Sequence, residues 1–236
     1  MTHAAKEAAG RHAARFVEDG MTVGLGTGST VHFTLVALAE RIRTEQLALR
    51  CVPTSLDTQD KAREMGIPLV TLDQVASIDV TIDGADEVDG DFAMIKGGGG
   101  ALLREKVVAS LSRREVIVVH GSKVVERLGL RFLLPVEVVP FARPVVARRL
   151  AELGAVSGVR MRAEREPYLT DNGNQILDCK FEHGIVEPAA LEDALNRIPG
   201  VVENGLFVGL AHVLVIGDDE GRVVVRSKGE QEGASR

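Results

Sequence analysis

The chain has 236 residues, 45% of them hydrophobic and 26% charged, with a formal net charge of −6. That length allows one large or two modest domains, and the composition is that of an ordinary globular protein. The acidic balance without a basic stripe, and the lack of Trp beside a single Tyr, argue against nucleic acid as a partner, and no apolar run reaches the length of a membrane span.

Met1 to Gly20 is Ala-rich but broken by Lys6, Glu7, Arg11, Arg15, Glu18 and Asp19, unlike a signal peptide. Cys51 and Cys179 are far apart and form no redox or metal-ligand motif. Two reduced thiols and no export signal give the expectation of a cytoplasmic protein. None of the histidines His3, His12, His32, His120, His183 and His212 forms a pair at metal-ligand spacing, so no metal site is expected.

In chain order, Ala4 to Val17 reads as a helix and Met21 to Leu25 as a strand running into glycines. Val31 to Ile42 is helical, Leu49 to Val52 a strand, and Asp57 to Met65 a helix closed by Gly66. Ile67 to Val70 and Ile78 to Ile82 are β-branched runs, Ala101 to Leu111 a helix, and Glu115 to Val119 a buried strand. This alternation predicts a parallel sheet with helices on both faces. After about Leu134 the texture changes. Leu134 to Val139 is an apolar run flanked by Pro135 and Pro140, and strands are expected at Val156 to Ala163 and Gln175 to Lys180, with a turn at Asp171-Asn172-Gly173-Asn174. Helices are expected at Val145 to Leu153 and Pro188 to Ile198, which together make a small α+β domain. Val213 to Ile216 and Arg222 to Val225 read as strands that rejoin the first domain, and Glu230 to Arg236 as a frayed tail.

Three segments carry chemistry. Gly24-Leu25-Gly26-Thr27-Gly28-Ser29-Thr30 lies between a strand and a helix, where glycines admit a ligand and the helix N-terminus offers unpaired N–H groups. It fits a phosphate site and a Ser/Thr-capped turn alike. Ser29 stands at the third glycine of the dinucleotide fingerprint, and no Lys follows as a Walker loop requires. Asp83-Gly84-Ala85-Asp86-Glu87-Val88-Asp89 follows a strand, where open α/β sheets place ligands. Its carboxylates suit proton exchange with hydroxyls, with a solvated turn as the alternative for Glu87, Asp89 and Asp91. Lys96-Gly97-Gly98-Gly99-Gly100 runs into a helix carrying Glu105. On that helix Leu103, Val107 and Leu111 make an apolar stripe, so periodicity alone reads Glu105 as a solvated side chain.

Taken together, GLGTGST, DGADEVD and KGGGGALLREK in this order resemble the type A ribose-5-phosphate isomerase family, and LPVEVVPFARPVV, LTDNGNQILD and IPGVVENGLF extend the resemblance from about Lys6 to about Lys228. The resemblance implies a Rossmann-like parallel-sheet domain, residues 1–132 and 205–236, with an inserted α+β (ferredoxin-like) domain, residues 133–204. It also implies a sugar-phosphate substrate, no cofactor, and a homodimer or homotetramer. By resemblance Thr27, Gly28, Ser29 and Thr30 hold the phosphate, with Lys6 near it. Asp83, Gly84, Ala85, Asp86, Lys96, Gly97, Gly98 and Gly99 hold the sugar, and Lys123 matches a substrate-binding lysine. Glu105 is implied as the base of a cis-enediolate mechanism, with Lys96, Asp83 and Asp86 assisting. The family usually carries an acidic residue where this chain has His120.

Overall fold

The computed structural model describes residues 2–163 and 165–229, so the expected frayed tail, Glu230 to Arg236, lies outside the described residues. In chain order the elements begin with α1 (His3–Ala13), β1 (Thr22–Leu25), α2 (Val31–Glu45), β2 (Arg50–Pro53), α3 (Leu56–Glu64) and β3 (Val80–Gly84). They continue with β4 (Glu87–Val88), β5 (Met94–Ile95), α4 (Leu102–Ser110), β6 (Glu115–His120), β7 (Leu134–Val138), α5 (Arg143–Glu152) and β8 (Ala155–Val159). The rest are β9 (Met161–Ala163), β10 (Glu166–Pro167), β11 (Gln175–Phe181), α6 (Pro188–Asn196), β12 (Val201–Asn204), β13 (Leu206–Phe207), β14 (Val213–Gly217) and β15 (Val223–Ser227).

The chain divides into two compact units. The first comprises Met1–Gly84, Val108–Ser122 and Leu210–Arg236, and the second Ala85–Val107 and Lys123–Gly209.

In the first unit six strands form one sheet in the order β15-β14-β6-β3-β1-β2. Every neighbouring pair from β14 to β2 is parallel, and β15 closes the edge as an antiparallel hairpin partner of β14. The strands are β-branched and almost wholly buried, as strands covered on both faces must be. Val23, Leu25, Ile82, Val116, Val118 and Val215 meet Ala9, Ala13, Leu35 and Leu38 of α1 and α2 in the core. Sequence order runs outward from β1 to β2 on one side and from β1 to β3 on the other. The ends of β1 and β3 therefore form the topological switch point, where α/β sheets bind ligands.

In the second unit, strands β7, β8, β11 and β12 alternate with α5 and α6 as β-α-β-β-α-β and pair antiparallel in the order β12-β7-β11-β8. That is the expected ferredoxin-like arrangement. Leu134, Val136 and Val138 of β7 and Leu177 of β11 pack on Val146, Leu150 and Leu195 of the two helices. A second small sheet, β13-β5-β4, carries the segment between Glu87 and Ile95.

Several expectations are corrected. Val156 to Ala163 is two strands, because the pairing changes at Arg160: β8 pairs with β11, and β9 pairs with β10. Ile67 to Val70 makes an isolated bridge, Leu69 to Cys51, in place of a strand. Strands β4, β5 and β13 are two residues long, too short for an alternating pattern to reveal them. The stripe on α4 faces the other way: Val107 is 38% and Leu111 37% exposed, while Leu102, Glu105, Val108 and Ala109 are buried. No helix among the described residues is long and apolar enough to cross a membrane.

Candidate active site

In the first unit the loop after β1 is built against the end of β3. Gly26 N–H donates to the Ile82 carbonyl at 2.9 Å. A side chain at Gly26 would strike the Asp83 carboxylate, so only glycine fits there. Asp83 is fully buried, and its Oδ1 accepts from the Thr27 N–H at 3.0 Å and the Gly84 N–H at 2.7 Å. One carboxylate thus sets the course of both chains at the switch point. Gly28 turns the loop with φ +122°. Gly28 and Ser29 are exposed and Thr30 is buried at the head of α2, where the His32 N–H donates to the Gly28 carbonyl and the Phe33 N–H to the Thr30 carbonyl, each at 3.1 Å, and where the helix dipole favours negative charge.

Thr27 does not present its hydroxyl outward. Its Oγ1 lies 2.8 Å from Thr54 Oγ1, 2.8 Å from Ser55 Oγ and 3.2 Å from Thr58 Oγ1. Thr58 in turn donates to the Gly26 carbonyl at 2.9 Å, and Thr54 to the Leu25 carbonyl at 3.0 Å. This hydroxyl cluster braces the loop from β2 and the start of α3, and sequence reasoning missed it. Its one legible trace was Ser55, which accepts from Thr58 N–H as the N-cap of α3.

Lys6 lies on α1, one turn before Gly10. A Cβ at Gly10 would come within 2.7 Å of the Thr30 carbonyl and 2.8 Å of Phe33 Cβ, so the two helices touch at the start of α2. Thr34 Oγ1 seals the contact by donating to the Gly10 carbonyl at 3.0 Å. Residues i and i+4 share a helix face, which puts Lys6 on the side of α1 that meets the loop. His120, at the end of β6, accepts through Nδ1 from the Ser122 N–H at 3.1 Å, and its Nε2 is 3.2 Å from Asp219 Oδ1.

In the second unit β4 and β5 pair as a hairpin that brings Asp86 beside the glycine loop. Asp86 N–H donates to the Ile95 carbonyl at 2.8 Å, and its Oδ2 accepts from Gly98 N–H at 2.7 Å. Lys96 follows β5 and is held by its own N–H, which donates to the Gly205 carbonyl at 2.9 Å. Its Nζ lies 3.3 Å from Glu105 Oε2. Lys96 is 2% and Glu105 5% exposed, so the pair is buried. The Phe207 ring stands 5.4 Å from Lys96 Nζ and 4.9 Å from Lys106 Nζ, and Lys106 is anchored outward on Glu203 and Glu192. Glu105 also sits in the first turn of α4, where the helix end favours negative charge. Gly97 and Gly100 have φ of +99° and +84°, which L side chains rarely adopt. Lys123 lies over the Phe132 ring at 5.5 Å.

The acidic run divides by role. Glu87 is buried, not solvated: its carboxylate accepts from the N–H groups of Gly129, Arg131 and Phe132 at 2.6, 2.9 and 2.8 Å. It is a structural staple. Asp89 is half-buried and closes its own turn on the Asp91 and Ala93 N–H groups, and burial pushes its pKa up. Asp91 is exposed.

The first unit is an α/β sheet with a ligand-facing loop at its switch point, and the second holds a buried lysine–glutamate pair beside a glycine loop, which is the equipment of an enzyme that works by acid–base chemistry. Residues 50–221 match the family model of ribose 5-phosphate isomerase A (phosphoriboisomerase A). The ribose-5-phosphate isomerase A of Gloeobacter violaceus is 53% identical, over 92% of this chain and 93% of that one. The solved ribose 5-phosphate isomerase A of Methanocaldococcus jannaschii is 40% identical, with a TM-score of 0.89 over 94% of this chain and 98% of that one. A D-ribose-5-phosphate isomerase solved in complex with phospho-erythronic acid is 38% identical, with a TM-score of 0.90 over 94% and 97%. The chain belongs to the ribose 5-phosphate isomerase A family.

Proposed function

We propose that this chain interconverts D-ribose 5-phosphate and D-ribulose 5-phosphate, in the non-oxidative branch of the pentose phosphate pathway. The observation that carries the reading is the buried Lys96–Glu105 pair at 3.3 Å. Moving a carbonyl from C1 to C2 requires a base that takes the proton from C2 and returns it to C1. Hydrogen moves as a proton throughout, so the reaction itself requires no redox cofactor. Glu105 is that base, with the Lys96 ammonium beside it and the first turn of α4 around it. Between the two transfers the substrate is a cis-enediolate with charge on its two oxygens. Lys96 and the amides of Gly97 and Gly99 stabilise that charge, while the Gly98 N–H holds Asp86 in place. Asp83 moves the proton between the oxygens and Asp86 assists opening of the furanose ring. Thr27, Gly28, Ser29, Thr30 and Lys6 hold the phosphate. Gly84, Ala85 and Lys123 complete the contacts to the sugar. The internal use of the Thr27 hydroxyl supports a bracing role for that side chain, with Ser29 and the dipole at the start of α2 meeting the phosphate directly.

The division into a catalytic domain, 1–132 and 205–236, and a small domain, 133–204, belongs to the same reading. The sheet β12-β7-β11-β8, all of whose strands fall between Leu134 and Asn204, supports it. We further infer a cytoplasmic homodimer or homotetramer. The two buried thiols support the compartment, and the almost wholly exposed ring of Phe141 supports assembly; a solution mass decides between dimer and tetramer.

The test is to mix purified, metal-chelated protein with ribose 5-phosphate and follow ribulose 5-phosphate, with Glu105→Gln in parallel. Turnover that is lost in the variant is the expected result. Binding of the sugar phosphate without conversion in the wild type would replace the isomerase with a sensor domain. Release of ammonia from an aminosugar phosphate would replace it with a deaminase.

A further inference from the structure

The glycine loop of the second unit is gripped on its carbonyl side by groups that the reaction itself does not call for. Arg160 stands between β8 and β9. Its guanidinium makes a two-pronged pair with Asp178 of β11, Nη2 to Oδ1 at 2.5 Å and Nε to Oδ2 at 2.9 Å. The remaining nitrogen, Nη1, donates to the Gly97 carbonyl at 2.8 Å and the Gly98 carbonyl at 3.1 Å. Tyr168, whose N–H donates to the Arg160 carbonyl at 2.9 Å, donates its hydroxyl to the Gly99 carbonyl at 3.1 Å. Three consecutive carbonyls of the loop are therefore held by two side chains that flank β9 and β10.

The consequence follows from peptide geometry. In a trans peptide the N–H points opposite to the C=O of the preceding residue. Holding the Gly98 carbonyl on Arg160 turns the Gly99 N–H away from the arginine, and holding the Gly97 carbonyl does the same for Gly98, whose N–H meets Asp86 at 2.7 Å. Four glycines in succession are otherwise the most mobile backbone a chain can have. A fixed guanidinium fork, clamped by its own carboxylate, is the side chain best suited to bridge two carbonyls. A cation bound to a carbonyl also polarises the amide that shares its peptide plane.

We propose that Arg160, oriented by Asp178 and assisted by Tyr168, is a positioning residue for the isomerisation: it pre-sets the Gly97–Gly99 backbone so that the loop amides meet the developing enediolate without reorganising. The inference rests on the isomerase reading above. It assigns the clamp to kcat, since a loop that is misplaced only at the charged stage of the reaction leaves ground-state binding largely intact.

Steady-state kinetics of Arg160→Ala, Arg160→Lys and Tyr168→Phe, each with its melting temperature, test the proposal. Arg160→Ala is expected to lose about 10²-fold in kcat, the scale of a small misplacement in a catalytic site, with KM within about threefold of wild type. Added guanidinium ion at millimolar concentration should recover a measurable part of that kcat. Tyr168→Phe, which keeps the ring and loses one donor, should lose several-fold in kcat at an unchanged melting temperature. Full kcat in folded Arg160→Ala overturns the proposal, as does a loss confined to KM, or a loss that guanidinium does not touch and that tracks the fall in melting temperature. If Arg160→Ala does not fold, full kcat in both Arg160→Lys and Tyr168→Phe overturns it instead. A wild-type protein that fails to convert ribose 5-phosphate sinks the isomerase reading and this inference with it. Wild-type turnover with undiminished variants sinks this inference alone.

Discussion

The loop Gly26–Thr30 in the first unit and the segment Lys96–Glu105 in the second are both glycine-rich, yet they are held by different forces. The first is shaped by neutral hydroxyls, those of Thr27, Thr54, Ser55 and Thr58, and by one carboxylate, Asp83, that spends its Oδ1 on two backbone amides. The second is organised around opposite charges taken out of water, Lys96 and Glu105, with Lys106 anchored outward on two further glutamates. Neutral hydrogen bonds are worth about 1 kcal/mol each and fail gradually. A buried ion pair is worth little net, but breaking it leaves an uncompensated charge and costs about 3–5 kcal/mol. Substitutions among the hydroxyls of the first region should therefore weaken binding by degrees, and substitutions in the second should remove turnover.

The largest effect is expected at Glu105. Glu105→Gln keeps the shape of the side chain and removes the base, so kcat should fall by about 10²–10⁴-fold while calorimetry still detects sugar-phosphate binding. Near-wild-type turnover would erase the contrast between the two regions. Next comes Lys96→Met. Its kcat should fall by about 10²–10³-fold, and urea unfolding should register a loss near 3–5 kcal/mol from the stranded carboxylate. Lys123→Ala, beside the Phe132 ring, should cost turnover far less, and equal losses would deny Lys96 its electrostatic role. In the first region, Thr27→Val removes one hydroxyl from the cluster. It should raise KM by about 2–10-fold, the equivalent of about 0.5–1.5 kcal/mol, with kcat nearly unchanged. A collapse of kcat there would mean that the loop does more than hold phosphate.

The smallest effect is expected where the two regions do not differ. Burial raises the thiol pKa of Cys51 in the first unit and of Cys179 in the second, each to about 12. Near pH 8 both are then almost wholly protonated, and the thiolate is the reactive form. Native protein should resist iodoacetamide at both positions until it is unfolded by urea, as peptide mapping can establish. Selective native labelling of either one would expose a difference in local opening between the units.

Much of the architecture was legible because it is written locally. β-branched runs such as Val116 to Val119 and helical stretches such as Val31 to Ile42 carry their own period. Gly66 and Gly154 mark helix ends by the positive φ they adopt, +72° and +86°. The glycine segments were legible as ligand-facing turns for the same reason. Glu105 was not legible as buried, because the stripe at Leu103, Val107 and Leu111 is more apolar than the side that the fold covers. For Glu87 a solvated turn stays open in the sequence because the amides that bind it come from residues 42 to 45 positions later in the chain.

By itself, then, the sequence determined the alternation of elements, the places where the backbone had to be glycine, and, through the order of three motifs, the family. Tertiary structure alone decided which charges lost their water. Whether a carboxylate is a solvated turn, a staple like Glu87 or a buried partner of a lysine like Glu105 depends on what the rest of the chain brings against it. Arg160 marks the same limit. In the sequence it is one arginine among many, and it acquires a role because antiparallel pairing of β8 with β11 sets it on Asp178 and within reach of two glycine carbonyls. Local pattern encodes backbone preference, whereas the energy of a buried charge is set by partners distant in sequence.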